Sequence, residues 1–144
     1  LEQITHADIP ADKLCLEITE TSVMEHVELV IDKMRVLRRS GVLFSVDDFG
    51  TGYSSLAYLK RLPIDTLKID RTFVGDVCTD QSDAVIVETI LAMTVHLGLK
   101  AVAEGVEDEA TMAFLEDRGC HYFQGWLFGH ASPLEEILDY WRPS

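Results

Sequence analysis

Short apolar runs alternate along the chain with longer stretches in which apolar residues recur every three or four positions, the grammar of strands followed by amphipathic helices. Leu14-Cys15-Leu16-Glu17-Ile18 predicts a short strand, and Met24 to Arg39 predicts a helix, with Val27, Val30, Ile31, Met34 and Leu37 at helical spacing and a stop at Gly41. Val42 to Val46 predicts the next strand. After it come a glycine-punctuated loop and a short helix from about Ser54 to Arg61, broken by Pro63. Thr66 to Ile69 is the third predicted strand. Its connection ends in a long helix from Ser82 to Leu97, whose stripe of Val85, Ile86, Thr89, Ile90, Met93 and Leu97 is expected to be core and which Gly98 stops. Lys100 to Ala103 predicts a fourth strand, and Glu109 to Arg118 a helix with Asp108 as N-cap and Gly119 as terminator. His121 to Phe123 predicts a fifth strand, and Pro133 opens a last helix ending near Trp141.

Strand-helix units at intervals of roughly 20–34 residues imply parallel strands with helical crossovers. The polar residues choose between a doubly wound sheet and a barrel. Glu17, Asp47, Asp48, Lys68, Glu104 and Gln124 all fall at or near the C-terminal end of a predicted strand. Barrel enzymes gather their chemistry there, whereas a doubly wound sheet concentrates it at one switch point. Strand alternation puts Thr66, Lys68 and Asp70 on the face opposite Leu67 and Ile69, Glu17 opposite Leu16 and Ile18, Asp47 on the Ser45 side and Glu104 on the Val102 side. Ionisable groups would then converge on one mouth.

Composition narrows the possibilities. At 144 residues, 47% apolar and 26% charged, the chain has the make-up of a soluble globular domain. Its net charge of −13 and scattered basic residues argue against a nucleic-acid polymer as partner. Cys15, Cys78 and Cys120 are odd in number and lack CxxC spacing, as expected in a reducing compartment. No apolar run approaches the roughly 18 residues of a membrane span, and no signal peptide is visible. The chain begins at Leu1, which leads us to expect a longer parent.

Asp47-Asp48-Phe49-Gly50-Thr51-Gly52-Tyr53-Ser54-Ser55-Leu56 is the most informative segment. Adjacent carboxylates repel, so a pair at a strand end suggests a divalent metal, and flanking glycines allow backbone to approach a phosphate. Taken alone, the aspartates could equally cap the following helix, Lys68 could be a solvated strand residue, and Glu104 a surface charge. The five histidines show no HxH or HExxH spacing and read as structural or exposed. Trp126 and Phe128 could stack on a base or pack the barrel end.

Glu17-Ile18-Thr19-Glu20, the Asp47 to Leu56 segment, Leu62-Pro63-Ile64-Asp65, Lys68-Ile69-Asp70, Glu104-Gly105-Val106-Glu107 and Gln124-Gly125, in this order, resemble the EAL-domain family of bacterial cyclic di-GMP phosphodiesterases. The resemblance runs through nearly the whole chain. It implies an α/β fold, the C-terminal five βα units of a modified TIM (β/α)8 barrel, with residues 1–144 an N-terminally truncated EAL-type domain. It also implies metal-dependent hydrolysis of cyclic di-GMP to linear pGpG. Carried over residue by residue, Glu17, Asp47 and Asp48 match ligands of two Mg²⁺ or Mn²⁺ ions, Asp47 bridging them. Lys68 matches the lysine that contacts the attacking water, as positioner or general base, and Glu104 a glutamate supporting metal or its waters. Glu107 and Gln124 match substrate-binding or second-sphere positions, and Glu20 the glutamate that braces the Asp-Phe-Gly-Thr-Gly loop.

The sequence departs from the family in lacking the Glu-Ala-Leu strand, whose glutamate binds metal, and a further Asn ligand. Phe128-Gly129-His130-Ala131-Ser132-Pro133 also replaces a more usual basic-proline ending. Open sheet edges would follow from a barrel lacking strands, so we expect a homodimer, a strand-swapped oligomer or marginal folding, with activity of the chain impaired. The alternative function is a noncatalytic cyclic di-GMP receptor or protein-interaction module. A phosphoacceptor receiver domain is disfavoured, because its acceptor Asp should come from a separate strand between the acidic pair and the Lys. Regulatory domains in a longer parent, a bacterial cytoplasmic location and a possible membrane anchor on that parent complete the expectation.

Overall fold

The computed structural model of the protein describes residues 9–20, 22, 27–51 and 56–140. Its centre is a five-stranded, all-parallel sheet in the order β1-β2-β3-β4-β5, formed by Cys15–Thr19, Leu43–Phe49, Thr66–Ile69, Lys100–Glu104 and Tyr122–Gln124. Helices occupy the crossovers: α1 is Val27–Arg38, α2 Leu56–Leu59, α3 Arg71–Val74, α4 Gln81–Leu97 and α5 Glu109–Asp117, with α6, Leu134–Tyr140, after the last strand. This is the βα-repeat architecture expected from the sequence. The start of the Met24 helix, residues 52–55 of the glycine loop and the last helix's predicted end at Trp141 lie outside the described residues.

The sheet divides its side chains as a barrel wall does. Phe44, Val46, Leu67, Ile69, Ala101 and Ala103 face the helix layer and are buried, packing with Val74, Val87, Ile90, Leu91 and Leu115 in one core. Complete burial of Leu67 and Ile69 contributes on the order of 1.5–3 kcal/mol each. The opposite face carries Glu17, Ser45, Thr66, Lys68, Val102, Glu104 and Gln124. Register confirms that these share a side, since Glu17 pairs with Ser45, Ser45 with Thr66, Lys68 with Val102 and Glu104 with Gln124.

Three local readings are corrected. Val85 and Thr89 are exposed; Ile86, Met93 and Leu97 of the predicted stripe pack half-buried against the core, and the residues α4 buries most fully are Val87, Ile90, Leu91 and Thr94. Apolar residues surround most of this helix, so its periodicity left the centre of the buried face open and packing against β3 and β4 set it. The connection after β3 contains the short helix α3, which has too few residues to show a period. Finally, β2 continues three residues beyond its predicted end at Val46, through the acidic pair to Phe49. Among the described residues no helix is long and apolar enough to cross a membrane.

Candidate active site

The extension of β2 makes the site. Adjacent residues on a regular strand face opposite ways, which would point Asp47 and Asp48 apart. Here the β2–β3 register slips between Val46 and Phe49, because Val46 pairs with Leu67 while Phe49 pairs with Ile69, leaving an extra residue opposite Lys68. Asp48 takes up that residue with φ 55°, the only non-glycine left-handed backbone among the described residues. Such a bulge re-aims side chains, and Asp is one of the few residues that tolerate this conformation. Phe49 thereby returns to the core beside Val46, and both carboxylates stay at the mouth.

Lys68 stands at the centre. Its ammonium lies 2.6 Å from Glu104 Oε1, 3.1 Å from Glu17 Oε1 and 3.2 Å from Asp47 Oδ1, with its side chain 8% exposed. Burial works against its charge, but the hydrogen bonds to Glu104, Glu17 and Asp47 outweigh burial and hold Lys68 well above the usual lysine range. It is therefore an ammonium donor in this arrangement. Partial burial pushes the Glu104 carboxyl up against the opposing pull of Lys68. Asp48 is also raised, by desolvation, by the charge of Asp47 and by a hydrogen bond shared with Asp70.

Asp47, Asp48 and Glu104 each offer a carboxylate oxygen within 4.8 Å of the others. This all-oxygen, anionic donor set fits a hard divalent cation, which would also relieve the repulsion felt by Asp48. Glu17 instead contacts the group through Lys68. Its side chain is 53% exposed, because β1 pairs only with β2 among the described strands.

The remaining candidates sit around this cluster. Glu20 is buried and its Oε2 accepts a hydrogen bond from Gly50 N at 3.1 Å, tying the end of β1 to the glycine loop. Glu107 and Gln124 are exposed and line an open groove of about 1400 Å³ that runs from Asp48 and Glu104 to α6. Trp126 and Phe128 line the same groove and are 63% and 55% exposed, so they do not pack a barrel end among the described residues. Gly125 fixes this wall: a Cβ there would lie 2.1 Å from Val106 O and 2.4 Å from Val106 N. That close approach accompanies the Val106 N to Gln124 O and Leu127 N to Val106 O hydrogen bonds, both 3.1 Å.

Asp70 and Arg71 had no assigned role from sequence. Asp70 caps α3, accepting from Thr72 N at 2.8 Å, and Arg71 lines the groove. Alternation already set Asp70 on the Lys68 side, but its link to Asp48 exists only because of the bulge.

The family model described as EAL domain matches residues 1–131. The chain is 45% identical over 139 residues to the cyclic di-GMP phosphodiesterase NbdA of Pseudomonas aeruginosa, covering 96% of this chain and 18% of that protein. It superposes on the PaMucR phosphodiesterase in complex with c-di-GMP with a TM-score of 0.91 at 44% identity, covering 95% of this chain and 56% of that one. The manganese/cyclic di-GMP complex of Klebsiella pneumoniae BlrP1 superposes with a TM-score of 0.81 at 32% identity, over 88% and 32% of the respective chains. The chain thus spans less than a fifth of the curated relative and about half of the PaMucR structure. The five parallel βα units are those of the TIM-barrel fold of EAL domains. With its acidic strand ends, its glycine loop and this match over nearly its whole length, the chain belongs to the EAL-domain family.

Proposed function

We propose that this chain contributes the active site of a metal-dependent phosphodiesterase that hydrolyses cyclic di-GMP to linear pGpG. The observation that carries the reading is the convergence of Asp47, Asp48 and Glu104 within 4.8 Å, with the Lys68 ammonium beside them, on the strand ends of an EAL domain. Names of its relatives support the substrate, and manganese in the BlrP1 complex supports divalent metal.

Asp47, Asp48 and Glu17 would hold Mg²⁺ or Mn²⁺, with Glu104 supporting the metal or its waters. A divalent ion bound there supplies charge neutralisation at the phosphoryl group and a more acidic water. Lys68, beside Glu17, Asp47 and Glu104, would contact the attacking water, as positioner or general base. In the overall reaction the water oxygen forms a bond to phosphorus, the ester bond to the 3′ oxygen breaks, and that oxygen ends protonated. Glu107 and Gln124, on the groove, contact the nucleotide. Glu20 holds the glycine loop through Gly50.

The test is hydrolysis of cyclic di-GMP with Mn²⁺ by the chain in its native polypeptide. We expect turnover that Asp47→Asn and Lys68→Met each reduce at least about 100-fold, in keeping with removal of an electrostatic or positioning group. Binding without cleavage would instead favour a noncatalytic cyclic di-GMP receptor.

A further inference from the structure

The groove that leads away from the acidic cluster is a poor place for an anion. Its described lining carries the carboxylates Asp48, Asp70, Glu104, Glu107 and Glu136, and its cationic groups are Arg71 and the titratable His130. Arg71 is thus the one permanent positive charge on the described wall. Of the described arginines, Arg71 and the exposed Arg39, which lies outside the groove lining, make no ion pair with a described residue. Arg35, Arg38, Arg61 and Arg118 each pair with a carboxylate. Arg71 makes no ion pair or side-chain hydrogen bond with a described residue, although its charge adds to the hydrogen bonds from Thr72 that hold the neighbouring Asp70 carboxyl below its usual range.

Its placement is built rather than incidental. Gly105 follows Glu104 with φ 71°, and a Cβ there would lie 2.5 Å from Arg71 Cβ and 3.3 Å from its Cα. Any side chain at 105 would therefore displace the root of Arg71, so the end of β4 packs directly on it. The other side of that root is fixed by Asp70, which caps α3. The stem is held at both flanks while the guanidinium makes no ion pair among the described residues, in a groove whose described lining is otherwise rich in carboxylates.

We propose that Arg71 is a specificity-determining residue that takes the second, non-reacting phosphate of the cyclic dinucleotide while the acidic cluster addresses the reacting one. The inference rests on the phosphodiesterase reading and adds to it a ligand contact. A guanidinium fork matches two phosphate oxygens, and the charge it supplies offsets the repulsion an anion meets from the five carboxylates. Because this phosphate does not react, the contact acts on binding more than on the chemical step.

The experiment compares Arg71→Gln, Arg71→Lys and, as a control, Arg39→Gln, an exposed arginine that lies outside the groove lining and likewise has no ion pair. Steady-state KM and kcat for cyclic di-GMP are measured with Mn²⁺, and equilibrium Kd with Ca²⁺, at several salt concentrations. We expect Arg71→Gln to raise Kd and KM about 10–100-fold, the scale of a charge-assisted contact, with kcat changed less than about 3-fold. Its affinity should also fall less steeply with salt. Arg71→Lys, keeping the charge but not the fork, should lie between, and it stands in should Arg71→Gln melt at a lower temperature than the parent. Arg71→Gln matching Arg39→Gln would overturn the assignment, as would loss confined to kcat or an unchanged salt dependence. If the unsubstituted protein does not bind cyclic di-GMP, the phosphodiesterase reading itself fails and this assignment falls with it; binding that Arg71→Gln leaves intact sinks only the assignment.

Discussion

Asp48 concentrates the conflict on which the site depends. Its left-handed backbone, which follows from the register slip against β3, and its carboxyl, raised by desolvation and by the charge of Asp47, are both unfavourable. Asn tolerates this backbone and removes the repulsion, whereas Ala keeps a Cβ without the local hydrogen bonding that makes Asp and Asn acceptable there. Asp48→Asn should therefore be at least as stable as the parent and Asp48→Ala about 1 kcal/mol less stable than Asp48→Asn, while both bind Mn²⁺ more weakly. Urea denaturation and metal titration measure the two effects separately; equal stability of the Ala and Asn variants would contradict the strained backbone. The pH dependence has opposite signs at two neighbours. Asp48 titrates above its unfolded value, so the stability it contributes is present at low pH and lost as pH rises through the folded value. Burial pushes Asp70 up, but hydrogen bonds from Thr72 more than offset this and lower it, so its contribution is present above the unfolded value near about 4 and lost as pH falls through the folded one. Denaturation midpoints between about pH 3 and 7 should decline less with rising pH in Asp48→Asn, and less on acidification in Asp70→Asn.

At the scale of elements, α3, which follows β3, joins the ends of β2 and β4 that the sequence left separate. Asp70 at its N-cap reaches Asp48 near the end of β2, Arg71 meets Gly105 after β4, and the Phe73 ring lies against Gly50 just past β2, where an added Cβ would sit 2.9 Å from its Cε2. The four-residue helix thus sets the spacing of the acidic pair and the groove wall together. On the other side, the turn after β5 is held by the Gly125 approach to Val106. Gly125→Ala should lower stability by about 1–3 kcal/mol or more, since the obstruction is backbone rather than a yielding side chain. It should also reduce ligand affinity by moving Gln124, as calorimetry with cyclic di-GMP would register; an unaltered melting temperature would show that this wall is free to shift.

For the whole molecule the governing fact is that a barrel wall of five strands has two sides but no closure among the described residues. Glu17 and Gln124 lie on the outermost strands, and Tyr122, Trp126, Leu134 and Leu138 are exposed large apolar or aromatic groups. Unpaired strand edges and apolar surface favour association, so the 144-residue chain expressed alone should sediment as a dimer or larger species at micromolar concentration. A monomer throughout would mean that both edges are protected. Closure also bears on Lys68. Three carboxylates stabilise its charge, and Lys68→Met would leave them facing one another, at a cost of about 3–5 kcal/mol for breaking so buried a group. Mn²⁺ should restore much of that loss in thermal denaturation; destabilisation that metal leaves untouched would count against cation binding at the cluster.

The order of strands and crossovers was legible because period-2 and period-3.6 patterns record which face of each element is buried, and because Gly98 and Asp108 mark helix ends chemically. Strand alternation likewise encodes the shared face of Glu17, Lys68 and Glu104. Several decisive features have no local signature. Asp47 and Asp48 point to one mouth only through a register slip against β3, which is a property of two strands together. The buried stripe of α4 was chosen by its neighbours, since its own sequence is apolar on more than one face. Arg71 and Gly105 are 34 positions apart in the sequence, and their packing against one another is a product of tertiary structure. Sequence alone determined the elements, the family motifs and the inventory of ionisable groups, because these depend on residue type and spacing. Tertiary structure decided which of those groups share a cation, a ligand wall or a core, because distance and desolvation arise only when separate elements pack.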